Sequence, residues 1–327
     1  MEVKKYILPT AILCLGLLLP QLLDFFGLQY LLSLATRALI YGLAASSLNL
    51  ILGYGGLVSL GHAVFMGIGG YTAGILLYHI QAGSRILGLL LPGSFWNSAL
   101  IAWPLAIVLA ALFALVTGLI SLRTRGMHFI MITLAFAQMV YFFFTSLDAY
   151  GGSDGISLYG RNTLPGLDLD NDQVFYYLCL VILLIVLFLM HRILQARFGR
   201  AFIAGRENIV RLQALGIAPL GYQLSAYCLS GAVAGLAGAL LVNQGEFVSP
   251  DILHWTRSGE LMVMVLVGGM ARLFGPVLGA VVLLFLEEYL AMYTDHWMVI
   301  FGPFLILVVL FGRSGLYGLL FEKGERS

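Results

Sequence analysis

Eighteen consecutive residues, VFYYLCLVILLIVLFLMH (174–191), contain no Asp, Glu, Lys or Arg. About 20 apolar residues, with a usual range of about 17–25, cross the hydrocarbon core of a bilayer. Applied along the chain, the same measure places spans near 6–24, 29–52, 57–79, 98–121, 127–147, 174–191, 222–243, 259–271, 276–293 and 297–312. The sequence therefore predicts an all-α, polytopic transmembrane helix bundle of about ten spans. The run at 259–271 is the weakest and is short enough for a re-entrant half-helix. A membrane tolerates such a segment only where protein covers its backbone or it lines a cavity.

Composition supports a membrane protein, because 10% of the 327 residues are charged where a soluble domain carries about 25%. A net charge of +1 gives no reason to expect a nucleic-acid partner. Cys14, Cys179 and Cys228 all lie in apolar stretches and read as packed, reduced thiols. The start, MEVKKYILPTAILCLGLLLPQLLDFF, shows no small-x-small cleavage site after its apolar run, so a retained first span is expected rather than a cleaved signal.

Charge sets the topology. With ten spans and an inside N-terminus, the cytoplasmic segments hold Lys4, Lys5, Arg123, Arg125, Arg192, Arg197, Arg200, Arg206, Arg211, Arg272, Arg313, Lys323 and Arg326, leaving Arg37, Arg85, Arg161 and Arg257 outside. If 259–271 turned back, Arg272, Arg313, Lys323 and Arg326 would move outside, so the positive-inside rule favours a crossing there and both termini cytoplasmic. Two polar segments connect spans. The outer one, about 148–173, contains GGSDGISLYGRNTLPGLDLDND; the inner one, 191–222, carries five arginines and one glutamate.

Glycine punctuates the spans. GYGGLVSLGHAVFMGIGGYTAG (53–74) holds eight glycines and is placed at a cytoplasmic turn leading into a span, with Gly61 and His62 at the turn. Gly70/Gly74, Gly231/Gly235 and Gly275/Gly279 have the four-residue spacing that lets backbones approach. They are expected to pack helices inside this subunit, or else to face a second subunit or a pathway. GGLVSLG (55–61) and GGMARLFG (268–275) resemble each other, at odds no better than even for an internal parallel repeat. His62, like the other five histidines, has no i, i+4 partner and no nearby Cys, so it reads as a hydrogen-bonded structural residue and no metal is expected. Glu287, Glu288 and Arg37 lie in apolar spans and are candidates for a solute or proton path, with an interfacial position as the alternative.

None of the three lysines follows a glycine, so a GxxxxGK[ST] phosphate loop is absent and this chain cannot hydrolyse ATP by that route. No Gly-x-Ser-x-Gly elbow or His-Glu-x-x-His occurs, and no enzyme is expected. In RAFIAGRENIVRLQALGI (200–217), Phe202, Ile209, Leu212 and Leu215 fall on one face of a helix of about four turns, with Arg206, Glu207, Arg211 and Gln213 elsewhere. Gly216 would stop it and Pro219 prevent its continuation. Such a helix lies on anionic lipid or docks into a groove on a cytosolic partner.

Four blocks resemble one family, the membrane permeases of branched-chain amino acid ABC transporters, M-type subunit. They are LNLILGYGGLVSLGHAVFMGIGGYTAG (48–74), TRGMHFIMITLAFAQ (124–138) with GGSDGI (151–156), GRAFIAGRENIVRLQALGI (199–217) with YCLSGAVAGLAGAL (227–240), and VSP (248–250) with LVGGMARLFGPVLGA (266–280). Met270-Ala271-Arg272 departs from the small Gly-Thr-type turn usual there. The resemblance implies a single permease domain over 1–327 with a cytoplasmic coupling segment at about 192–221, in the bacterial inner membrane. It implies that Arg200, Arg206, Glu207, Asn208, Arg211, Leu215 and Gly216 couple to the ATPases, Arg206 and Glu207 foremost. The implied partners are a homologous second permease, two cytosolic ABC ATPases, and a periplasmic or lipid-anchored solute-binding protein. No cofactor is bound directly; ATP and Mg would be used by the ATPases. Branched-chain amino acids, other small amino acids, amides or urea are the implied solutes. The rival reading is a stand-alone secondary transporter or channel for a small polar solute.

Overall fold

The computed structural model describes residues 16–23, 25, 27–83, 98–293, 296, 299, 302–303 and 315–321. The expected spans at 6–24 and 297–312 therefore lie largely outside the described residues, as do Lys4, Lys5, Cys14, Arg85, Arg313, Lys323, Arg326 and both termini. Helices dominate: α1 (Gln29–Asn49), α2 (His62–Gln81), α3 (Ala99–Ser121), α4 (Met127–Thr145), α5 (Asp172–Gln195), α6 (Arg197–Glu207), α7 (Ile209–Ala214), α8 (Pro219–Gly245), α9 (Trp255–Gly268), α10 (Gly275–Ala291) and α11 (Gly315–Phe321). A π turn, Leu50–Tyr54, extends α1. Two short strands, β1 (Ile156–Ser157) and β2 (Phe247–Val248), pair antiparallel with Ile156 opposite Val248.

The described residues include six helices long and apolar enough to cross a membrane: α1 with its π turn, α2, α3, α4, α5 and α8. Side chains start several of them. Asn171 Oδ1 accepts from Gln173 N at the start of α5, Ser98 Oγ accepts from Leu100 N at the start of α3, and Pro219 occupies the first turn of α8, where its missing N–H costs nothing.

α8 is packed between α2 and α3, and glycine and alanine set the spacing. Gly231 and Gly235 face Ala114 and Ala110 of α3, and a side chain on Gly238 would collide with the Met66 carbonyl of α2. Ala106, Ala110 and Ala114 are fully buried at four-residue intervals, which places one small-residue face against another. Gly70 and Gly74 of α2 meet Val242 of α8, and Gly279 of α10 lies on the Met264 carbonyl of α9. Gly275 approaches the carbonyls of Gly268 and Gly269. All three sequence-flagged pairs thus pack helices of this chain against one another. By contrast α4 is 22% buried across its apolar window and α3 33%, against 78% for α1. Leu112, Val116, Met131 and Phe142 are exposed on faces suited to lipid or another subunit.

Most of the segment at 259–271 lies in α9, a 14-residue helix preceded by irregular backbone. After α8 the chain passes β2 and a short 3₁₀ turn, Pro250–Leu253, running inward until Leu253 packs beside Gly67 of α2. α9 continues inward for 14 residues, about 21 Å at 1.5 Å per residue. The turn that follows lies against the far end of α1, where Asn49 Oδ1 accepts from Ala271 N at 3.0 Å and Asn49 Nδ2 donates to the Arg272 carbonyl at 2.9 Å. The irregular 247–254 stretch and α9 together lead from the β1–β2 pair to the far end of α1. Irregular backbone at this depth is acceptable because protein covers it: Val248, Pro250 and Leu253 are buried. Arg272 lies near the same end of α1 as α6.

The inner segment corrects one expectation. Residues 200–217 form two helices rather than one, broken at Asn208 (φ −155°, ψ 101°), whose Oδ1 accepts from Arg211 N at 2.9 Å and caps α7. A short amide side chain competes with the helical backbone and favours such a cap. The seven-three-three face is therefore not continuous. Phe202 and Leu212 are buried, whereas Leu215 is 72% exposed. Gly216 has φ +78°, and the chain then enters α8 at Pro219, so the stop and the restart fall where the sequence placed them.

Candidate functional site

Two regions at opposite ends of α1 collect the residues that chemistry singles out. At the inner end, the π turn leaves the Gly53 carbonyl without a helical partner, and Arg206 Nη1 donates to it. A cation at a helix C-terminus also complements the dipole. Phe202 packs on Gly55, and the Arg206 stem passes over Gly56 (φ +69°), where a Cβ would lie 3.0 Å from Cγ. The glycines of this loop thus make room for α6. Of the two residues expected to meet a partner first, both Arg206 and Glu207 are exposed, and Arg206 Nη1 in addition donates to the Gly53 carbonyl of its own chain. Arg200, Asn208, Arg211 and Gly216 are exposed as well. Val210, 74% exposed, joins Leu215 as an apolar residue facing outward; the sequence pattern had not assigned it to this surface.

Gly61 and His62 sit deeper than a surface turn. Gly61 packs on the Thr133 carbonyl of α4. His62 is fully buried at the first residue of α2, with Nε2 2.8 Å from Ser47 Oγ and its ring edge-on to Phe65. Ser230 Oγ of α8 donates to the Ser47 carbonyl at 2.5 Å, and Ser258 Oγ of α9 accepts from Ala63 N at 2.9 Å. Four helices therefore meet through hydroxyl groups at the start of α2. Interhelical bonds of this kind are each worth about 0.6 kcal/mol in membranes. His62 has the structural hydrogen bond that its isolated position in the sequence suggested.

At the outer end, Glu287, Glu288 and Arg37 come together with two residues that the span pattern did not flag, Arg257 and Glu260. A cavity of about 420 Å³ opens between α1, α8, the 247–252 segment and the start of α9, with Arg37, Arg257, Glu288, Tyr30 and Tyr41 on its wall. Tyr30 hydroxyl donates to Glu288. Arg257 Nη1 lies 2.8 Å from Glu260 Oε2. The Arg37 guanidinium stands over the Tyr41 ring, 5.7 Å from its centroid. Gln244 Nε2 donates to Ser33 Oγ at 2.9 Å. A sequence signal for Arg257 existed in its i, i+3 spacing to Glu260; only the fold brings the pair to Arg37, more than two hundred residues earlier.

The outer loop is pinned over this region by Arg161. Its guanidinium bonds the carbonyls of Asn243 (3.1 Å) and Leu169 (2.7 Å), pairs with Asp172 at 2.5 Å, and lies over the Phe175 ring.

Over residues 30–310 the sequence matches the family described as branched-chain amino acid transport system / permease component. The high-affinity branched-chain amino acid transport system permease protein LivM of Escherichia coli (strain K12) is 28% identical over 338 aligned residues, covering 96% of this chain and 75% of that protein. The probable branched-chain amino acid transport permease protein LivM of Methanocaldococcus jannaschii is 26% identical, covering 91% of this chain and 93% of its own length. The autoinducer 2 import system permease protein LsrC of Shigella flexneri is 26% identical over 83% of this chain and 75% of its own. No solved structure matches the chain.

Proposed function

The chain belongs to the branched-chain amino acid transport system permease component family, and from that premise we propose that it is one permease subunit of an ATP-driven ABC importer. Residues 1–327 form its single membrane domain, and about 192–221 is the segment that couples it to ATP. A homologous second permease completes the pathway, two cytosolic ATPases bind ATP and Mg, and a solute-binding protein delivers cargo at the outer face. The complex sits in the bacterial inner membrane as a multi-pass assembly in contact with lipid.

The observation that carries this reading is the α6–α7 pair. It is anchored to its own permease on one side by Arg206 and Phe202 and exposes Glu207, Arg211, Val210 and Leu215 on the other. Such a segment moves as a lever only if something outside grips its exposed face. ATP binding draws the ATPases together, the pair moves with them, and the Gly53 contact passes that displacement to α1. The free energy comes from the partners' unequal affinity for the two permease states. Branched-chain amino acids or related small amino acids are the solutes of choice, since two of the relatives named above carry that transport in their names; the autoinducer 2 relative marks how far specificity ranges at this level of identity.

Proteoliposomes separate this reading from a stand-alone carrier. The complex purified with its ATPases and supplied with binding protein should take up leucine on addition of ATP inside the partner-accessible compartment. Uptake by this chain alone under a proton gradient would refute it. Exchanging Glu207 and Arg211 for alanine together should lower substrate-stimulated ATP hydrolysis by about tenfold, the loss expected for two exposed hot-spot contacts, while solute capture by the binding protein is unchanged.

A further inference from the structure

At the inner end, the connection between α3 and α4 carries Arg123 and Arg125 in a stretch without compensating charge. No Asp or Glu occurs between Asp24 and Asp148, and among the described residues neither arginine forms an ion pair. Both are exposed, and both line a cavity of about 620 Å³ whose wall also includes Gln213, Gly216, Pro219 and Gln223. Two residues of extended chain reach about 7 Å at most, so the two arginines stand close enough to share one small anion. Gln213 and Gln223 bring amide donors to the same wall. No carboxylate lines this cavity, nor the neighbouring one of about 210 Å³ that shares Leu122, Arg125 and Gln223 with it.

An independent feature leads to the same place. Val108, Leu112, Val116 and Leu119 of α3 are exposed at steps of four, four and three residues, which puts them in one file along the helix. Leu122 keeps a right-handed helical conformation (φ −71°, ψ −8°), so Arg123, four residues beyond Leu119, continues that file. From Val108 to Leu119 the file rises about 17 Å at 1.5 Å per residue. One leaflet supplies roughly 15 Å of the hydrocarbon core.

From these two features we propose that the α3–α4 connection holds an anionic phospholipid of the inner leaflet, with its phosphate in the cavity and an acyl chain along the exposed file of α3. The Arg123 and Arg125 guanidinium groups donate to the phosphate oxygens, a pairing that suits the arginine fork better than a lysine ammonium. Basic pockets between membrane helices on the cytoplasmic side are suited to such headgroups. The headgroup is anionic because the wall offers cations and amides and no carboxylate for an ammonium group. A free phosphate ion would satisfy the arginines equally but would leave the apolar file without a purpose. The binding chemistry rests on these residues and not on the importer reading.

Native mass spectrometry of the full chain with its co-purifying subunits, delipidated in detergent, reads which lipid stays bound. The probes are phosphatidylglycerol, phosphatidylcholine with the same acyl chains, and inorganic phosphate as a competitor. Phosphatidylglycerol should bind saturably and about tenfold tighter than phosphatidylcholine, and phosphate at equal concentration should not displace it. Arg123→Gln with Arg125→Gln should weaken phosphatidylglycerol binding about tenfold, and Arg123→Lys with Arg125→Lys should recover part of it. Arg192→Gln with Arg197→Gln removes the same charge from inner residues that do not line the cavity and should leave the affinity unchanged. Equal binding of the two lipids would overturn the proposal. So would equal losses from the two glutamine pairs, because a diffuse charge effect needs no site. Displacement by phosphate would give the arginines to a free ion and remove the lipid. Failure of the complex to bind phosphatidylglycerol would give the surface to a protein partner and overturn the proposal as well.

Discussion

The two ends of α1 use their polar groups in opposite ways. At the inner end polar groups tie distant segments of the chain together: Asn49 satisfies both a donor and an acceptor of the 269–274 turn, and Arg206 satisfies the Gly53 carbonyl. At the outer end, Arg37 and Glu288 face an open cavity. Groups satisfied by the protein make a connection stiff, because moving them leaves buried backbone unpaired. Groups that line a cavity add less to the fold, and the glycine-lined contact between α2 and α8 holds the helices beside α1 close together.

Four substitutions press on that contrast. The largest effect is expected at the contact shared by both ends: Gly238→Leu drives a side chain into the Met66 carbonyl. It should cost about 3 kcal/mol, the upper part of the overpacking range. The assembled protein would be lost on size-exclusion chromatography; a monodisperse peak of normal yield would show that α2 and α8 can separate without damage. Next comes the inner tie. Asn49→Ala deletes two hydrogen bonds at a residue 2% exposed and should lower thermal stability by about 2 kcal/mol. The outer Arg37→Gln should leave the melting temperature almost unmoved. Equal losses at the two positions would erase the distinction between the ends. The smallest effect is a gain: Ala271 has φ +58°, a left-handed conformation that costs a non-glycine residue about 1–2 kcal/mol. Ala271→Gly should raise stability by about 1 kcal/mol, read as a higher midpoint in thermal unfolding.

That last position shows how far the sequence could be followed. In Met270-Ala271-Arg272 the left-handed conformation falls on Ala271, whose amide donates to Asn49 Oδ1. The apolar runs that became α3, α4, α5 and α8 were legible because a bilayer enforces length and composition one span at a time. Gly216 and Pro219 were legible for a similar reason, since a positive φ and a missing N–H act locally. Asn208 was legible in principle as a cap but was outweighed by an apolar spacing that spans the break. The irregular stretch before α9 could not be read from the sequence, because it depends on the burial of Val248, Pro250 and Leu253 against other elements.

By itself, the sequence determined that this chain is a membrane helix bundle without a phosphate loop, where α3, α4, α5 and α8 run, and which family it resembles. Those properties depend on local composition and spacing, which each segment carries alone. The tertiary structure alone decided that Arg206 bonds the Gly53 carbonyl, that the flagged glycines pack helices within the subunit, and that Arg37, Arg257 and Glu288 share one cavity. These are long-range contacts, between residues up to about 250 positions apart, and no local pattern encodes which distant backbone a side chain will meet.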